Sequence, residues 1–289
     1  MSWYEKYMQV YEKNYDEEAF RGIVSEVRDN LQKLQSETPL VTVSVIAYNE
    51  EKHLLACLWT LSEQKTKYPI EIIGVNNDSN DKTSEIFKAS GIPFYTEYQR
   101  SCGYARLCGL THAKGKYHIN IDADTLYPPY YVDTVIDVME SSANIVAVSA
   151  NWGYIPSKHY SRLDMMLYET LRNLYLRLQS VKRPELSVRG LVFSYRTVEA
   201  RKIGIRVDII RGEDGMLAFG LRKYGKIAFL YDGKVRAITG YGTIGEGMLW
   251  KRFWLRVKQI LSKSKGFFFS ARKHEDKEHN LVDKQKEKI

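Results

Sequence analysis

The chain has little of the material from which disulfide-stapled domains and thiolate metal sites are built. Only three of its 289 residues are cysteines, at positions 57, 102 and 108, and no two of them form a C-x-x-C pair. The odd number and the spacing argue against a disulfide framework and against a zinc site made of thiolates. We therefore expect the protein in a reducing compartment.

Long apolar runs are also missing. No run approaches the roughly 18 residues of a membrane-spanning helix, and the first residues, MSWYEKYMQVYEKNYDEE, lack the apolar core of a secretion signal. We therefore expect a cytoplasmic protein, or one attached to the inner face of the cell membrane. Neither GxxxxGK[ST] nor GxGxxG is present, so the phosphate and dinucleotide loops that these motifs form are not expected.

Positive charge is concentrated at one end of the chain. The formal net charge is +8, yet residues 245–289 alone hold 12 Lys or Arg against 6 Asp or Glu. The rest of the chain is close to neutral, which argues against a nucleic-acid cleft in the main domain. The basic tail fits an anionic surface such as lipid headgroups.

The hydrophobic pattern divides the chain into three parts. Residues 1–38 are predicted to form a helical extension, 39–240 a catalytic domain, and 241–289 a basic, aromatic, amphipathic segment with a tail. Within the middle part, strands and helices alternate, which predicts a mostly parallel sheet with helices on both faces. The predicted strands are 41–47, 70–75, 117–121, 144–150 and 191–195. One predicted helix begins at Glu50 and is capped by Asn49; the others span 82–90, 103–114, 158–180 and 214–224.

Polar residues follow three of these strands directly. The clusters are Tyr48-Asn49-Glu50, Asn76-Asn77-Asp78 and Asp122-Ala123-Asp124. In open parallel sheets the carboxyl ends of the strands share one edge, and ligands bind in the crevice there. Helix capping accounts for part of the first two clusters but not for the third, so we expect all three to converge on one pocket.

The third cluster is suited to a divalent cation. Asp122 and Asp124 are two carboxylates at positions i and i+2, just past a buried strand. Mg²⁺ and Mn²⁺ prefer oxygen ligands, and Mg²⁺ typically uses one or two carboxylates together with phosphate oxygens and water. Such an ion would hold a diphosphate and neutralise the charge on a leaving group.

These motifs together resemble those of the family 2 glycosyltransferases. The resemblance is carried by VSVIAYNEEKHLLACLWTL, EIIGVNNDSNDKT and CGYARLCGLTHAKGKYHINIDADTLYPPYY, and further on by GLVFSYRTVEARKIG and RGEDGMLAFGLRKYGKI; it covers about residues 40–232. It implies the GT-A fold, with a mostly parallel central sheet and helices on both faces, and an inverting transfer from a nucleotide sugar.

The resemblance also implies roles for single residues. Asp124, with Asp122, would bind the metal, and Arg106 would lie near the donor phosphates, although a solvated helix arginine is the alternative. Asn76 stands where the family usually has an aspartate that reads the base, so uracil and guanine both stay open. The expected nucleotide-sugar site comprises Ala47, Tyr48, Asn49, Glu50, Asn76, Asp78, Arg106, Asp122 and Ala123.

Inversion requires a base for the acceptor hydroxyl. In RGEDGMLAFGLRKYG the carboxylates Glu213 and Asp214 precede a predicted helix. The family match favours Asp214 as the base, with Glu213 as the second candidate; helix capping is the structural alternative. His53, His112, His118, His274 and His279 are expected to be structural.

The C-terminal segment, MLWKRFWLRVKQILSKSKGFFF at 248–269, places tryptophans beside lysines and arginines at helical spacing. This composition favours binding at a bilayer interface, with packing on the domain or a dimer contact as alternatives.

Taken together, these features predict a metal-dependent hexosyl- or N-acetylhexosaminyl-transferase that uses a UDP- or GDP-sugar. The expected acceptor is a glycan, as in polysaccharide biosynthesis, or a lipid-linked molecule. The alternatives are a nucleotidyltransferase that makes nucleotide sugars and a non-catalytic nucleotide- or glycan-binding module. A module that only binds would not require a base.

Overall fold

The computed structural model describes residues 2–156, 160–240, 250, 254, 255 and 258. Within them the strands are β1 Val41–Ala47, β2 Ile70–Asn76, β3 Phe94–Thr96, β4 Tyr117–Asp122, β5 Thr125–Leu126, β6 Ile145–Ala150, β7 Trp152–Tyr154, β8 Phe193–Arg196, β9 Lys226–Leu230 and β10 Ala237–Thr239. The α-helices are α1 Arg21–Leu34, α2 Leu54–Ser62, α3 Thr83–Ser90, α4 Cys102–His112, α5 Tyr131–Ser141, α6 Arg162–Lys182, α7 Thr197–Ile203 and α8 Glu213–Leu221. Short 3₁₀ turns cover Glu5–Gln9, Pro184–Leu186, Gly190–Val192 and Gly233–Val235.

A seven-stranded sheet in the order β3-β2-β1-β4-β8-β6-β9 forms the centre of the molecule. Strand β1 is parallel to both β2 and β4, whereas β8 runs antiparallel to β4 and β6. The β-branched run of β1 is buried almost throughout because layers of helices cover both faces of the sheet. The predicted α/β architecture is confirmed. A small second sheet, β5-β10-β7, follows the end of β4.

The start of α2 corrects one prediction. The helix begins at Leu54 rather than at Glu50, and Asn49 is not its cap. Asn49 has a left-handed backbone (φ 55°), its N–H donates to Ser79 Oγ (2.9 Å), and its Oδ1 accepts from the Asn80 N–H (3.0 Å). Asn49 therefore ties the loop after β1 to the loop after β2, a long-range contact that competes with helix capping.

The first 38 residues pack closely onto the rest of the chain. Helix α1 buries Val24, Val27 and Leu31 and lies against α2 and α3. Ahead of it, Tyr7 and Tyr11 are also buried, as parts of the same core as β1 and α2. This stretch therefore covers one flank of the sheet.

Most of the 248–269 segment, which is predicted to be amphipathic, lies outside the described residues. Trp250 packs partly buried against the main core. None of the described helices combines the length and apolarity needed to cross a membrane.

Candidate active site

The ends of β1, β2 and β4 meet at one edge of the sheet. In the strand register Ala47 lies beside Asn76, and Ile46 lies beside Asp122. A cleft of about 420 Å³ opens at this edge. It is lined by Ile46, Ala47, Tyr48, Glu50, Asn77, Arg100, Ser101, Cys102, Ala105, Asp122, Ala123 and Asp124.

In the second polar cluster, Asn76-Asn77-Asp78, the side chain that lines the cleft is not the one predicted. Asn76 is buried and its Oδ1 accepts from the Ser79 N–H (3.1 Å), so its side chain stabilises the loop after β2. The neighbouring Asn77 lines the cleft instead, and its Nδ2 donates to the Glu97 and Gln99 carbonyls. Asn77 directly follows the last residue of β2, and its N–H donates to the Ala47 carbonyl (2.8 Å), which holds it at the end of β1 beside the cleft.

Arg100, which the sequence motifs do not single out, also lines the cleft. Its guanidinium pairs with Asp78 at 2.9 Å and lies 5.7 Å from the Tyr48 ring centroid. Asp78 thus acts at the rim of the cleft through Arg100. Its place in the sequence could have indicated this position, because Arg100 directly precedes Ser101. The Ser101 side chain caps α4, so Ser101 lies at the end of that helix that borders the cleft.

The Asp122-Ala123-Asp124 triplet turns two carboxylates toward the cleft and one methyl group into the core. Ala123 is buried, and its N–H donates to the Ile46 carbonyl (3.2 Å). The Asp124 carbonyl accepts from the Tyr11 hydroxyl (2.8 Å), while its Oδ1 accepts from the Thr125 hydroxyl (2.9 Å). These bonds fix the backbone of the triplet on both sides.

Negative charge accumulates around Asp124. Burial, then Asp122, then Glu50, raise the pKa of Asp124 to about 6, because each disfavours its charged form. Glu50 itself lies 2.6 Å from His53 Nδ1. No three His, Cys, Asp or Glu side chains in the described part of the chain are arranged to hold a metal on their own. These two carboxylates, of which Asp122 is already paired with Arg106, nevertheless fit Mg²⁺ or Mn²⁺ completed by diphosphate oxygens and water.

Arg106 joins the triplet to the start of α8. Its guanidinium is only 3% exposed, so the solvated-arginine alternative is wrong. Nη2 donates to Asp122 Oδ1 (3.0 Å), and Nε lies 3.3 Å from Asp214 Oδ1 and 3.6 Å from Glu213 Oε1. The buried cation therefore stands between the predicted metal ligands and the predicted base.

The two α8 carboxylates differ in accessibility. The Asp214 side chain is 16% exposed and that of Glu213 is 9% exposed, so Asp214 is the easier one for a substrate to reach. Burial raises the pKa of Asp214, Arg106 lowers it and Glu213 raises it, and the result is about 7. A carboxylate with that pKa can take a proton near neutral pH.

Two solved structures share this fold and were determined with nucleotide sugars bound. A mannosyltransferase from Pyrobaculum calidifontis, solved with GDP-Man and Mn²⁺, matches with a TM-score of 0.56 and 18% identity, over 88% of this chain and 74% of that one. S. aureus TarS in complex with UDP-GlcNAc matches with a TM-score of 0.50 and 17% identity, over 76% and 66%. The architecture is the GT-A fold of nucleotide-sugar transferases.

The sequence assigns the chain to a particular family. Residues 42–201, more than half of the chain, match the profile of Glycosyl transferase family 2. The protein belongs to this family. An uncharacterized glycosyltransferase of Rickettsia prowazekii is 28% identical over 153 residues, which are 47% of this chain and 48% of the relative. The chain spans about half the length of that relative.

Proposed function

We propose that the protein is an inverting glycosyltransferase that moves a hexosyl or N-acetylhexosaminyl group from a nucleotide diphosphate to a hydroxyl of a glycan or lipid-linked acceptor. The observation that carries this proposal is the position of Arg106. It lies between the carboxylates of the Asp122-Ala123-Asp124 triplet and Asp214. A donor bound at the triplet would thus have its sugar close to a carboxylate that can accept a proton.

Each group at the cleft has a role in this proposal. Asp124, with Asp122, would hold Mg²⁺ or Mn²⁺, and the ion would neutralise charge on the departing diphosphate. Asp214 takes the proton of the acceptor hydroxyl as it attacks the anomeric carbon; Glu213 is the second candidate. Arg106 keeps Asp214 and Asp122 oriented toward the same space.

The nucleotide would occupy the part of the cleft beside Tyr48, Asn77 and Arg100. Solved relatives of this fold bind GDP-Man in one case and UDP-GlcNAc in another, so both bases remain candidates. Asn77 already donates both bonds of its amide group to the Glu97 and Gln99 carbonyls, which leaves its oxygen to accept from a base N–H. Uracil N3–H and guanine N1–H both offer such a donor.

A thermal-shift panel of UDP- and GDP-sugars, with and without Mn²⁺, tests the proposal. One donor should stabilise the protein by about 2.7 kcal/mol at 100 times its Kd, and only with metal. Asp124→Asn should remove the metal-dependent part of that shift. Stabilisation by a nucleoside triphosphate instead would support the nucleotidyltransferase, and no shift with any donor would contradict the transferase.

A further inference from the structure

Helix α6 carries an apolar face that the rest of the described structure leaves open. The helix has 21 residues and is therefore about 30 Å long. A helix on the surface of a water-soluble domain normally turns polar side chains outward. Here large apolar side chains occupy the outward positions instead: Leu163, Met166, Leu167, Leu174, Leu178 and Val181, each between 47% and 80% exposed.

Two basic side chains, Arg177 and Lys182, are exposed along this outer face, and the Arg177 guanidinium also lies 4.2 Å from the Tyr231 ring centroid. The acidic residues of the helix and the following turn are engaged elsewhere: Asp164 closes the capping box at the helix start, and Glu169 and Glu185 are buried in ion pairs with arginines. The outer face thus combines apolar side chains with positive charge.

One described residue of the basic C-terminal segment, Trp250, lies beside this helix. The side chain of Trp250 hydrogen-bonds to Asp164 in the first turn of α6. Trp254 and Leu255 are exposed, as is Lys258. Residues 248–269 contain six Lys or Arg and no acidic residue. This segment therefore resembles the outer face of α6 in composition, because both combine apolar side chains with basic ones.

We propose that the outer face of α6 binds the surface of an anionic lipid bilayer, with its leucines in the interfacial layer and its arginine and lysine side chains at the headgroups. Amphipathic helices bind bilayers in this way through apolar area and attraction to anionic lipid. A second copy of the chain would bring a second set of positive charges to the same face, whereas anionic headgroups neutralise them.

The position of α6 connects this surface with the catalytic half. The turn after α6 holds Glu185, which pairs with Arg222 (2.9 Å) just after α8, the helix that begins with Glu213 and Asp214. A bilayer at α6 would thus bring lipid to the α8 side of the molecule. Of the two acceptor classes, this position favours the lipid-linked acceptor. The conclusion about the acceptor rests on the proposed function, whereas the lipid-binding surface on α6 does not.

Flotation of the full chain with vesicles tests the surface. The protein should bind vesicles of phosphatidylcholine mixed with phosphatidylglycerol, and far less those of phosphatidylcholine alone. Leu178→Glu should lower the partition coefficient at least about tenfold, because a charge replaces an inserted apolar side chain. Val198→Glu is the matched control: Val198 is also exposed on a helix, 55% against 61% for Leu178, and its variant should bind within about twofold of the unmodified chain.

Three results would overturn the inference: no binding of the unmodified chain to anionic vesicles, equal binding by Leu178→Glu, or a dimer in sedimentation velocity that Leu178→Glu dissociates. Leu174→Glu repeats the test if Leu178→Glu lowers the melting temperature. The donor-induced thermal shift should be unchanged in every one of these variants. Failure of vesicle binding therefore leaves the transferase proposal intact, and absence of the donor shift leaves the docking surface intact.

Discussion

At the residue scale, the arrangement around Arg106 accounts for most of the site's electrostatics. One buried guanidinium faces Asp122, Glu213 and Asp214, so the carboxylates outnumber the cation. Burial raises the pKa of Asp214 and of Asp124 nearby, and neighbouring carboxylates raise both further. A site with surplus buried carboxylate is suited to a divalent ion and to a proton acceptor.

Asp214→Asn should lower kcat by about 10² to 10⁴ while donor binding stays unchanged, because the amide cannot take the acceptor proton. Steady-state transfer rates and donor titration of the same preparation measure the two effects. Glu213→Gln serves as the comparison and should reduce kcat less, since Glu213 is the less exposed carboxylate. The reverse ranking would make Glu213 the base.

The raised pKa of Asp214 predicts a distinct pH dependence. Since only the carboxylate acts as a base, kcat/KM should rise with pH and level off above about 7. An ordinary aspartate would level off near about 4. The raised pKa of Asp214 also affects stability. It adds to the free energy of unfolding in full below the unfolded-state pKa of about 3.9, and this contribution is lost as pH rises to the folded-state pKa. A rate that stays flat between pH 5 and 8 would contradict the assignment.

At the scale of elements, the turn Gly190–Val192 makes room for the Arg106–Asp214 contact. A Cβ on Gly190 would collide with the Arg106 guanidinium and with the Asp214 carboxylate. Neither group can retreat easily, because Arg106 is buried and also bonded to Asp122. The turn therefore sets how closely α4 and α8 approach the triplet.

Gly190→Ala should accordingly reduce transfer by at least about 100-fold, the loss expected from roughly 1 Å of misplacement. Gly22→Ala is its control: nothing lies within 4 Å of a Cβ there, and the substitution should stabilise α1 by about 0.5 to 1 kcal/mol. Transfer rates and thermal melts distinguish the two. Full activity in Gly190→Ala would show that the contact is dispensable.

The N-terminal stretch offers a second test at this scale. Tyr11 donates to the Asp124 carbonyl (2.8 Å), and Tyr7 donates to Glu63 (2.8 Å) away from the triplet. Removing either hydroxyl should cost about 1 kcal/mol of stability. Only Tyr11→Phe should also weaken Mn²⁺ binding, by several-fold, because it frees the backbone of the triplet. Titration of Mn²⁺ in the presence of donor measures this, and equal Mn²⁺ affinity in Tyr7→Phe and Tyr11→Phe would refute a positioning role.

At the scale of the whole molecule, the core runs without interruption from the first residues into the sheet. Tyr7, Val10 and Tyr11 belong to the same core cluster as Leu54 and Trp59. The Gln35 side chain also makes two hydrogen bonds to the backbone of Ile72 in β2. The stretch 1–38, predicted as a helical extension that packs on the catalytic domain, is bound to the domain by both apolar and polar contacts.

A chain that starts at residue 39 should therefore not fold stably. Each large apolar side chain buried by that stretch contributes about 1.5 to 3 kcal/mol, and several of them equal the roughly 5 to 15 kcal/mol of a typical domain. Urea unfolding of the full and shortened chains compares their free energies of unfolding. An unchanged midpoint in the shortened chain would instead support the boundary at residue 39.

The strands and the position of the site could be predicted from local pattern. The apolar runs of β1, β2 and β4 identify buried strands to within one residue, and the polar residues that end them identify the ligand edge. The α2 start was misplaced, and Asn76 was chosen where Asn77 lines the cleft, because both depend on contacts between loops.

The sequence by itself determined the sheet, its ligand edge and the pair of carboxylates at Asp122 and Asp124, since alternation and strand ends are encoded by neighbouring residues. Only the tertiary structure decided that Arg106 is buried beside Asp214, that Tyr11 holds Asp124, and that the leucines of α6 face outward. Burial and partnership depend on which distant segments meet. A residue's pKa and role follow from those neighbours rather than from its own position in the chain.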